Sequence, residues 1–455
     1  MKHLILLLSG LFAVATYLSA QPIPKKLDEY LTSAHQANHF NGVALVAQKG
    51  KILCHKAYGY SHVNNQTPND TATRFPILSI TKSFTSTLIL MLQEQGKLSV
   101  QDNLSTYFPD FPNGDSITIH HLLTHTSGLF DYMSLIDEGD SAIVCHPVAK
   151  QQILDIFQNK PLAFKPGSAY AYCNSGYFLL GLIIEKVTGQ PYEKIVRELI
   201  FNPLNMAHSG FDYINLPASI RAQGYDTLTA DYQSAYPHFD STVTYSAGAM
   251  YSTSGDLYKW YQAVASQKLL TAKSWKQAFT PNLNDYGYGW MRGSYLGKLY
   301  VRHDGGYPGF MASSVYYPSE DITLIILQNA ANYSDSPSPA VMALTAILLK
   351  KPYNSWLPHT EVAVKESLLQ QYVGRYRVDP SVVPDRIISV SLENGQLWVQ
   401  ANDEPKVRLF AETERNFFMK AYNGLWTFQM DKSGQVRQAI VHVNGIDVIV
   451  NKLLP

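Results

Sequence analysis

The sequence predicts a mixed α/β (α+β) protein that ends in a small β-barrel, and three observations carry that expectation. The run from Ser79 to Leu92 has no Gly or Pro and is rich in apolar residues, as a helix buried on most sides requires. Strand signals stand far to either side of it. Val43, Leu45, Ile52 and Leu53 flank the turn Lys49-Gly50-Lys51, and β-rich runs recur at 299–302, 312–317 and 322–327. From Leu368 onward eight short strand-like runs are separated by Asn394-Gly395, Asn423-Gly424, Ser433-Gly434 and Asn444-Gly445. These are the turns of a β-meander that closes on itself.

The chain has 455 residues, enough for two or three domains and a large core. Lys+Arg and Asp+Glu number 36 each, so no basic footprint of a nucleic-acid binder exists. Residues Met1–Ala20 read as a secretory leader: Lys2 and His3 precede Leu4 to Leu8, and Ser19-Ala20 ends the run before Gln21-Pro22. The run is short for a membrane span, and stable membrane insertion is not expected. Cys54, Cys145 and Cys173 lack metal-ligand spacing and are expected to be free thiols, with no metal and no cofactor.

The helix at Ser79 carries the chemistry. Residues three apart share a helix face, so the Lys82 amine lies beside the Ser79 hydroxyl in the chain's one Ser-x-x-Lys. A neutral amine can take the serine proton, and both burial and the positive helix N-terminus oppose protonation of that amine. Further on, His121 to Gly128 predicts a helix terminus whose Thr126 and Ser127 bond backbone, with His125 outside the chemistry. Tyr172-Cys173-Asn174 follows the turn Pro166-Gly167 and leads into an apolar helix, Phe178 to Ile184. There the phenol can relay a proton if cations lower its pKa, and the amide can hold a substrate carbonyl. The similar Tyr213-x-Asn215 reads as a surface loop. Ser246 to Asp256 supplies small residues for close packing and caps a helix from Leu257 to Ser266, with Asp256 as a first-turn carboxylate. Last comes Arg302-His303-Asp304-Gly305-Gly306, a strand running into a glycine pair at a sheet edge beside a cleft. There the backbone can approach an acyl carbon and an N–H can serve an oxyanion.

Ser79-x-x-Lys82, Tyr172-x-Asn174 and His303-x-Gly305 occur in the order of the serine β-lactamase and penicillin-binding-protein superfamily. More closely, residues 27–350 resemble class C β-lactamase-like serine hydrolases. The resemblance implies a five-stranded or larger antiparallel sheet flanked by helices, plus an all-helical lobe, with the site between them. It implies Ser79 as nucleophile, Lys82 with Tyr172 as proton acceptor, and Asn174 on the substrate amide. The N–H groups of Ser79 and Gly306 would form the oxyanion hole, and His303 and Gly305 would line the substrate site. His303 stands where many relatives carry lysine. A histidine there predicts a weak hold on a substrate carboxylate, one that strengthens as pH falls through the histidine range. By the same resemblance the C-terminal meander is lipocalin-like.

The domain organisation expected is a leader at 1–20, a hydrolase domain at 21–355, a linker at 356–367 and a β-rich domain at 368–455. The function expected is a secreted or periplasmic serine hydrolase that cleaves an ester or amide through an acyl-Ser79 intermediate. Its substrate would be a small-molecule or peptide acyl donor, cell-wall fragments included. The alternatives are a D-alanyl-D-alanine carboxypeptidase, β-lactamase or D-aminopeptidase, and, from another class, a slowly acylating or non-catalytic penicillin-binding sensor module. Oligomeric state and the barrel's role stay open.

Overall fold

The structure is a computed structural model that describes residues 21–137, 146–225, 240–330, 339–356, 359–380, 382–383, 385–402, 404–419, 424–443 and 446–453. The leader at 1–20 and Cys145 lie outside the described residues. Cys54 and Cys173 are free, buried thiols.

A six-stranded antiparallel sheet forms the frame. Its strands are β1 (Gly42–Gln48), β2 (Lys51–Tyr58), β3 (Met291–Tyr295), β4 (Lys298–Tyr307), β5 (Phe310–Tyr317) and β6 (Ile322–Gln328), in the spatial order β2-β1-β6-β5-β4-β3. The β1–β2 hairpin turns on Lys49 and Gly50, both at positive φ (52° and 71°), as a tight two-residue loop demands. Alternation sends Val43 and Leu45 to one face and Ala44 and Val46 to the other, and both faces are covered. Helices α1 (Ile23–Gln36) and α8 (Pro339–Leu348) close the outer face through Leu27, Leu31, Leu344 and Ile347.

The inner face packs on α2 (Thr81–Glu94) and α7 (Ser254–Ala265), where Phe84 stacks on Trp260 at 4.1 Å. Every residue of α2 from Thr81 to Leu90 is buried, so its hydroxyls must bond inward. Ser83, Ser86 and Thr87 donate to carbonyls three or four residues back. α7 starts at Ser254, with Thr253 as its N-cap and Asp256 in the first turn, a little earlier than the apolar pattern predicts. Between α2 and α6 (Ser241–Gly248), the described residues from 104 to 204 hold helices and turns and no strand beyond a single β-bridge at Thr118. Among the helices are α3 (Ile119–Leu123), α4 (Lys150–Phe157) and α5 (Asn174–Thr188), which form the expected helical lobe. α3 ends at Leu123, earlier than the expected terminus, and His125 (φ 56°) and Gly128 (φ 74°) reverse the chain. Ser127 Oγ accepts a backbone N–H as predicted, whereas the Thr126 hydroxyl bonds the Thr124 hydroxyl instead.

Two expectations change. β4 is not the sheet edge along its whole length, because β3 pairs its first half, Lys298 to Arg302. The register of β3 stops there, and His303 to Tyr307 run on beside the Ser79 turn. In Tyr213-x-Asn215 only Asn215 is exposed; Tyr213 is buried and donates to the Ala222 carbonyl at 2.6 Å.

After α9 (Glu366–Tyr372), eight strands, β7 (Gly374–Val378) to β14 (Ile446–Lys452), form a closed barrel, with Tyr376 paired to Lys452 at the closure. Tyr376, Leu397, Phe417, Trp426 and Phe428 pack together inside it with Tyr372 of α9. The barrel's aromatic residues are therefore its own core.

Trp356, the first residue of the expected linker, packs into the core beneath α1 and α8. Trp356 is 9% exposed, stacks on His39 at 3.6 Å and donates its indole N–H to the Tyr30 hydroxyl at 3.2 Å. Trp356→Ala should lower the stability of this domain by about 3 kcal/mol, the usual size for a large core truncation. Thermal melts check this, and the barrel's own transition should stay put if the two units melt separately.

Candidate active site

Ser79 sits in a single 3₁₀ turn, Leu78–Ile80, that runs directly into α2. The turn is gripped from two sides. Phe75-Pro76 pairs with Tyr251-Ser252, the Ile77 N–H donates to the Met250 carbonyl at 2.9 Å, and the Thr81 hydroxyl accepts from the Met250 N–H at 3.2 Å. Leu78 is thereby held at φ 50°, a left-handed conformation that costs a leucine about 1 kcal/mol or more. That strained residue directly precedes the hydroxyl.

Lys82 lies one turn further along α2 and is 0% exposed. Its Nζ donates to Ser79 Oγ at 2.9 Å, to Asn174 Oδ1 at 2.8 Å and to the Ala247 carbonyl at 2.8 Å. The rings of Tyr172 and Tyr177 stand 4.8 and 5.6 Å from it. Burial lowers its pKa to about 7, against an opposing pull from the Asp131 carboxylate. Near neutral pH the amine therefore divides between charged and free forms. The free form keeps two N–H bonds and one lone pair. Asn174 Oδ1 and the Ala247 carbonyl can only accept, so they take the two N–H bonds and leave the lone pair facing Ser79.

The Tyr172 ring also faces this group, 4.8 Å from Lys82 Nζ, and its phenol feels the Ser79 hydroxyl. Its pKa moves opposite to the expectation: burial dominates and raises it, so the phenol stays protonated. The segment bearing it is clasped by His125. The His125 carbonyl accepts from Ala171 N–H at 3.0 Å, its Nδ1 accepts from Cys173 N–H at 3.0 Å, and its ring lies 4.2 Å from that of Tyr172. Asn174 opens α5, and Asp131 receives both its backbone N–H and its Nδ2, each at 3.0 Å.

His303 does not reach the cleft. Its ring is 1% exposed and lies behind the wall, between its own strand and Tyr286. Nδ1 is 2.7 Å from the Asp304 carbonyl, which can only accept, so Nδ1 carries the proton. Nε2 then accepts from the Tyr286 hydroxyl at 2.9 Å. Burial, with Lys82 nearby, lowers its pKa to about 3. The expected contact with a substrate carboxylate is corrected accordingly: the ring is neutral across the physiological range and already has both partners. Strand alternation turns Arg302 to the other face, where it pairs with Asp304 at 2.7 Å.

Ser79, Tyr172, Asn174 and Gly306 open together on a cavity of about 320 Å³ whose further walls include Leu78, Asp131, Met133 and Tyr307. Asp131 is the one charged side chain among those described walls. A larger groove, about 800 Å³, runs along the helical lobe between Phe108, Leu154 and Lys186. It shares no residue with the Ser79 cavity, and chemistry rather than size marks the smaller space as the site. No cluster of metal-ligating side chains occurs among the described residues.

Sequence reasoning brought Ser79, Lys82, Tyr172, Asn174, Gly305 and Gly306 to one place and missed Asp131, Tyr286, His125 and the Ala247 carbonyl. Asp131 was findable as a lone carboxylate just after the Gly128 turn, but no spacing rule ties it to a residue 43 positions on. The Ala247 acceptor is backbone and leaves no trace in residue type.

Gly305 is where strand and nucleophile touch. A methyl group there would sit 3.0 Å from the Ser79 nitrogen and closer still to the Ile77 carbonyl, and neither backbone can yield cheaply. Gly305→Ala should lower kcat on the order of 100-fold, as misplacing a reacting group by about an ångström does, with a smaller loss in melting temperature. Ester turnover and a thermal melt on the same sample check this; unchanged kcat would place the turn out of reach of position 305.

The Beta-lactamase family model matches residues 27–346, and a domain of unknown function, DUF3471, matches residues 358–450. "Penicillin-binding protein 4*" of Bacillus subtilis is 30% identical over 425 residues, covering 87% of this chain and 92% of that protein. The crystal structure of a penicillin-binding protein from Bacillus halodurans is 31% identical, with a TM-score of 0.61 over 70% of this chain and 98% of that one. An octameric penicillin-binding protein homologue from Pyrococcus abyssi shares the fold, at 23% identity and a TM-score of 0.65 over 94% of this chain and 99% of that one. From residue 27 to residue 346 the chain belongs to the Beta-lactamase family, and it is a serine hydrolase.

Proposed function

We propose that this chain is an exported hydrolase that cleaves a small ester or amide through an acyl-Ser79 intermediate. One observation carries the reading. A buried Lys82 with a pKa of about 7 has two of its three directions taken by pure acceptors, which leaves its free-base lone pair on Ser79.

The steps follow from the groups present. Lys82 takes the Ser79 proton while Oγ forms a bond to the acyl carbon and the carbonyl π pair moves to oxygen. The N–H groups of Ser79 and Gly306 hold that oxyanion. The tetrahedral centre then collapses, its bond to the leaving oxygen or nitrogen breaks, and the leaving group takes a proton from the Tyr172 hydroxyl, which Lys82 replaces. Water then bonds to the acyl carbon as its proton passes through Tyr172 to Lys82, the bond to Ser79 Oγ breaks, and Lys82 returns the proton to the serine as the acid leaves. A phenol that stays protonated suits the donor's part, and a lysine poised near neutrality suits the acceptor's.

The described walls bring no Lys or Arg side chain to the cavity, and His303 is neutral behind them. A substrate without a free carboxylate therefore fits better than a D-Ala-D-Ala peptide or a β-lactam. The second reading, a protein that is acylated by penicillin and released slowly, draws on the printed name of the Bacillus subtilis relative. Export rests on the leader-like Met1–Ala20. Among the described residues, no helix is long and apolar enough to cross a membrane.

Ser79→Ala should abolish both turnover of a short-chain ester and covalent labelling by a fluorophosphonate, read by intact mass; label on the variant would place the nucleophile elsewhere. Lys82→Ala and Tyr172→Phe should each cost on the order of 100-fold in acylation rate, with a double variant far from additive because both serve one proton route.

The pH profile is the sharper test. Below its pKa Lys82 is an ammonium and cannot accept a proton, so kcat/KM should fall as pH drops below about 7. His303 has no titration to add in that range. The ratio of kcat/KM for nitrocefin to that for a neutral ester should therefore stay flat as pH falls. A ratio that climbs through the ordinary histidine range would restore His303 as a carboxylate ligand.

A further inference from the structure

Asp131 belongs to no motif, yet both of its oxygens bond Asn174, with Oδ1 also accepting the Met133 N–H at 3.3 Å. Oδ1 accepts the Asn174 backbone N–H and Oδ2 accepts Asn174 Nδ2, each at 3.0 Å, while Asn174 Oδ1 accepts from Lys82 at 2.8 Å. A helix N-terminus could be satisfied by one oxygen on one N–H. This carboxylate instead fixes the two ends of the Asn174 amide, because only an NH₂ can face a carboxylate and only the carbonyl is then left for the lysine.

We infer that Asp131 is a positioning residue that holds the Asn174 amide with its oxygen toward Lys82 and so turns the free amine's lone pair onto Ser79. The inference rests on Lys82 being the base for Ser79. If the amide turned over, its NH₂ would compete for that lone pair, and Ser79 would have to share it. The direction of proton transfer thus depends on an aspartate that need not touch the substrate.

The surroundings of Lys82 leave Asp131 as its one formal countercharge among the described groups facing it. Directly before α2 stands the neutral Ser79 turn. From the loop before α5 come Tyr172 and Cys173, and from α5 Tyr177, all held protonated by burial, Cys173 with a pKa raised to about 12. Behind lie His125, lowered well below the usual histidine range, and His303 at about 3, both neutral. Burial raises the Asp131 pKa while the N–H bonds from Asn174 and Met133 and the charge of Lys82 oppose that rise.

The full-length chain and its Asp131→Asn and Asp131→Glu variants are reacted with a fluorophosphonate across a pH series. Rate constants are read only on the fraction that takes label at Ser79, so unfolded protein does not enter. Asp131→Asn keeps the shape, loses the charge and can present an NH₂ to Asn174. Its plateau rate should fall about 10-fold or more, the scale of a misaimed proton transfer, and its acid limb should move to lower pH because the anion that favoured the ammonium is gone. Asp131→Glu keeps the charge, so its limb should stay while its plateau falls. An unchanged Asp131→Asn profile overturns the inference. So does a lower plateau with an unmoved limb, as a merely structural role would give, or a moved limb with an unchanged plateau. If Asp131→Asn takes no label, Asp131→Glu decides: a reduced plateau supports the inference, and a wild-type plateau or no label overturns it. Wild type that labels elsewhere than Ser79, or shows no acid limb, would sink the lysine-base reading itself, whatever the variants do.

Discussion

A lysine cut off from water must find acceptors for its protons or give up its charge, and in this protein Lys82 is held at the balance between the two. Desolvation alone would drive it neutral; three oxygens at hydrogen-bond distance and the Asp131 carboxylate hold it back. The rest of the site follows from supplying those oxygens. One comes from the lysine's own turn, one from the start of α5 and one from the backbone of α6. Three separately folded segments therefore have to meet at one nitrogen. The close packing of α2, α5 and α6 serves that meeting. The Ser246 hydroxyl donates to the Tyr177 carbonyl at 2.8 Å, and a side chain on Gly181 would collide with Ser246. Small residues there let the Ala247 carbonyl come within reach of the amine.

The sheet makes the second contribution. β4 loses its β3 neighbour after Arg302, and the freed half lies against the Ser79 turn with Gly305 at the point of contact. A strand held in register by β5 is a stiff support, and the left-handed Leu78 is the residue that absorbs the fit. Backbone strain persists only where the surroundings over-determine it. Here the surroundings are the Met250 strand on one side and β4 on the other.

Much of this was legible in the residues because the determining relations are local. Ser79 and Lys82 are three apart at a helix start, Tyr172 and Asn174 are two apart, and among the described residues the barrel marks two of its turns by Asn394-Gly395 and Ser433-Gly434. The predicted Asn423-Gly424 and Asn444-Gly445 turns fall at least partly outside the described residues. What stayed hidden depends on closure of the chain. Asp131 meets Asn174 only because the Gly128 reversal carries it back to the start of α5. Tyr286 is one of 30 tyrosines, and nothing in its neighbours marks it as the partner of His303. Strand alternation correctly separated Arg302 from His303. It could not say that the face given to His303 would be sealed by aromatic rings. Trp356, read as linker, belongs to the core for the same reason: its partners Tyr30 and His39 lie more than 300 residues upstream.

His303 shows most clearly how burial changes what a side chain can do. A lysine there would put a permanent cation beside Lys82, and two like charges in so dry a space would each favour the other's loss of a proton. The histidine avoids that conflict by giving its Nδ1 proton to its own strand and its Nε2 lone pair to Tyr286. With both nitrogens occupied and buried, the missing water first, and then the charge of Lys82, keep the ring neutral. Position 303 thus becomes a neutral strut behind the nucleophile. The site then holds one group poised near neutrality, Lys82, and one carboxylate near it, Asp131, whose own pKa burial raises. The electrostatics that can distinguish substrates are correspondingly those of a cavity without a cation in its described walls.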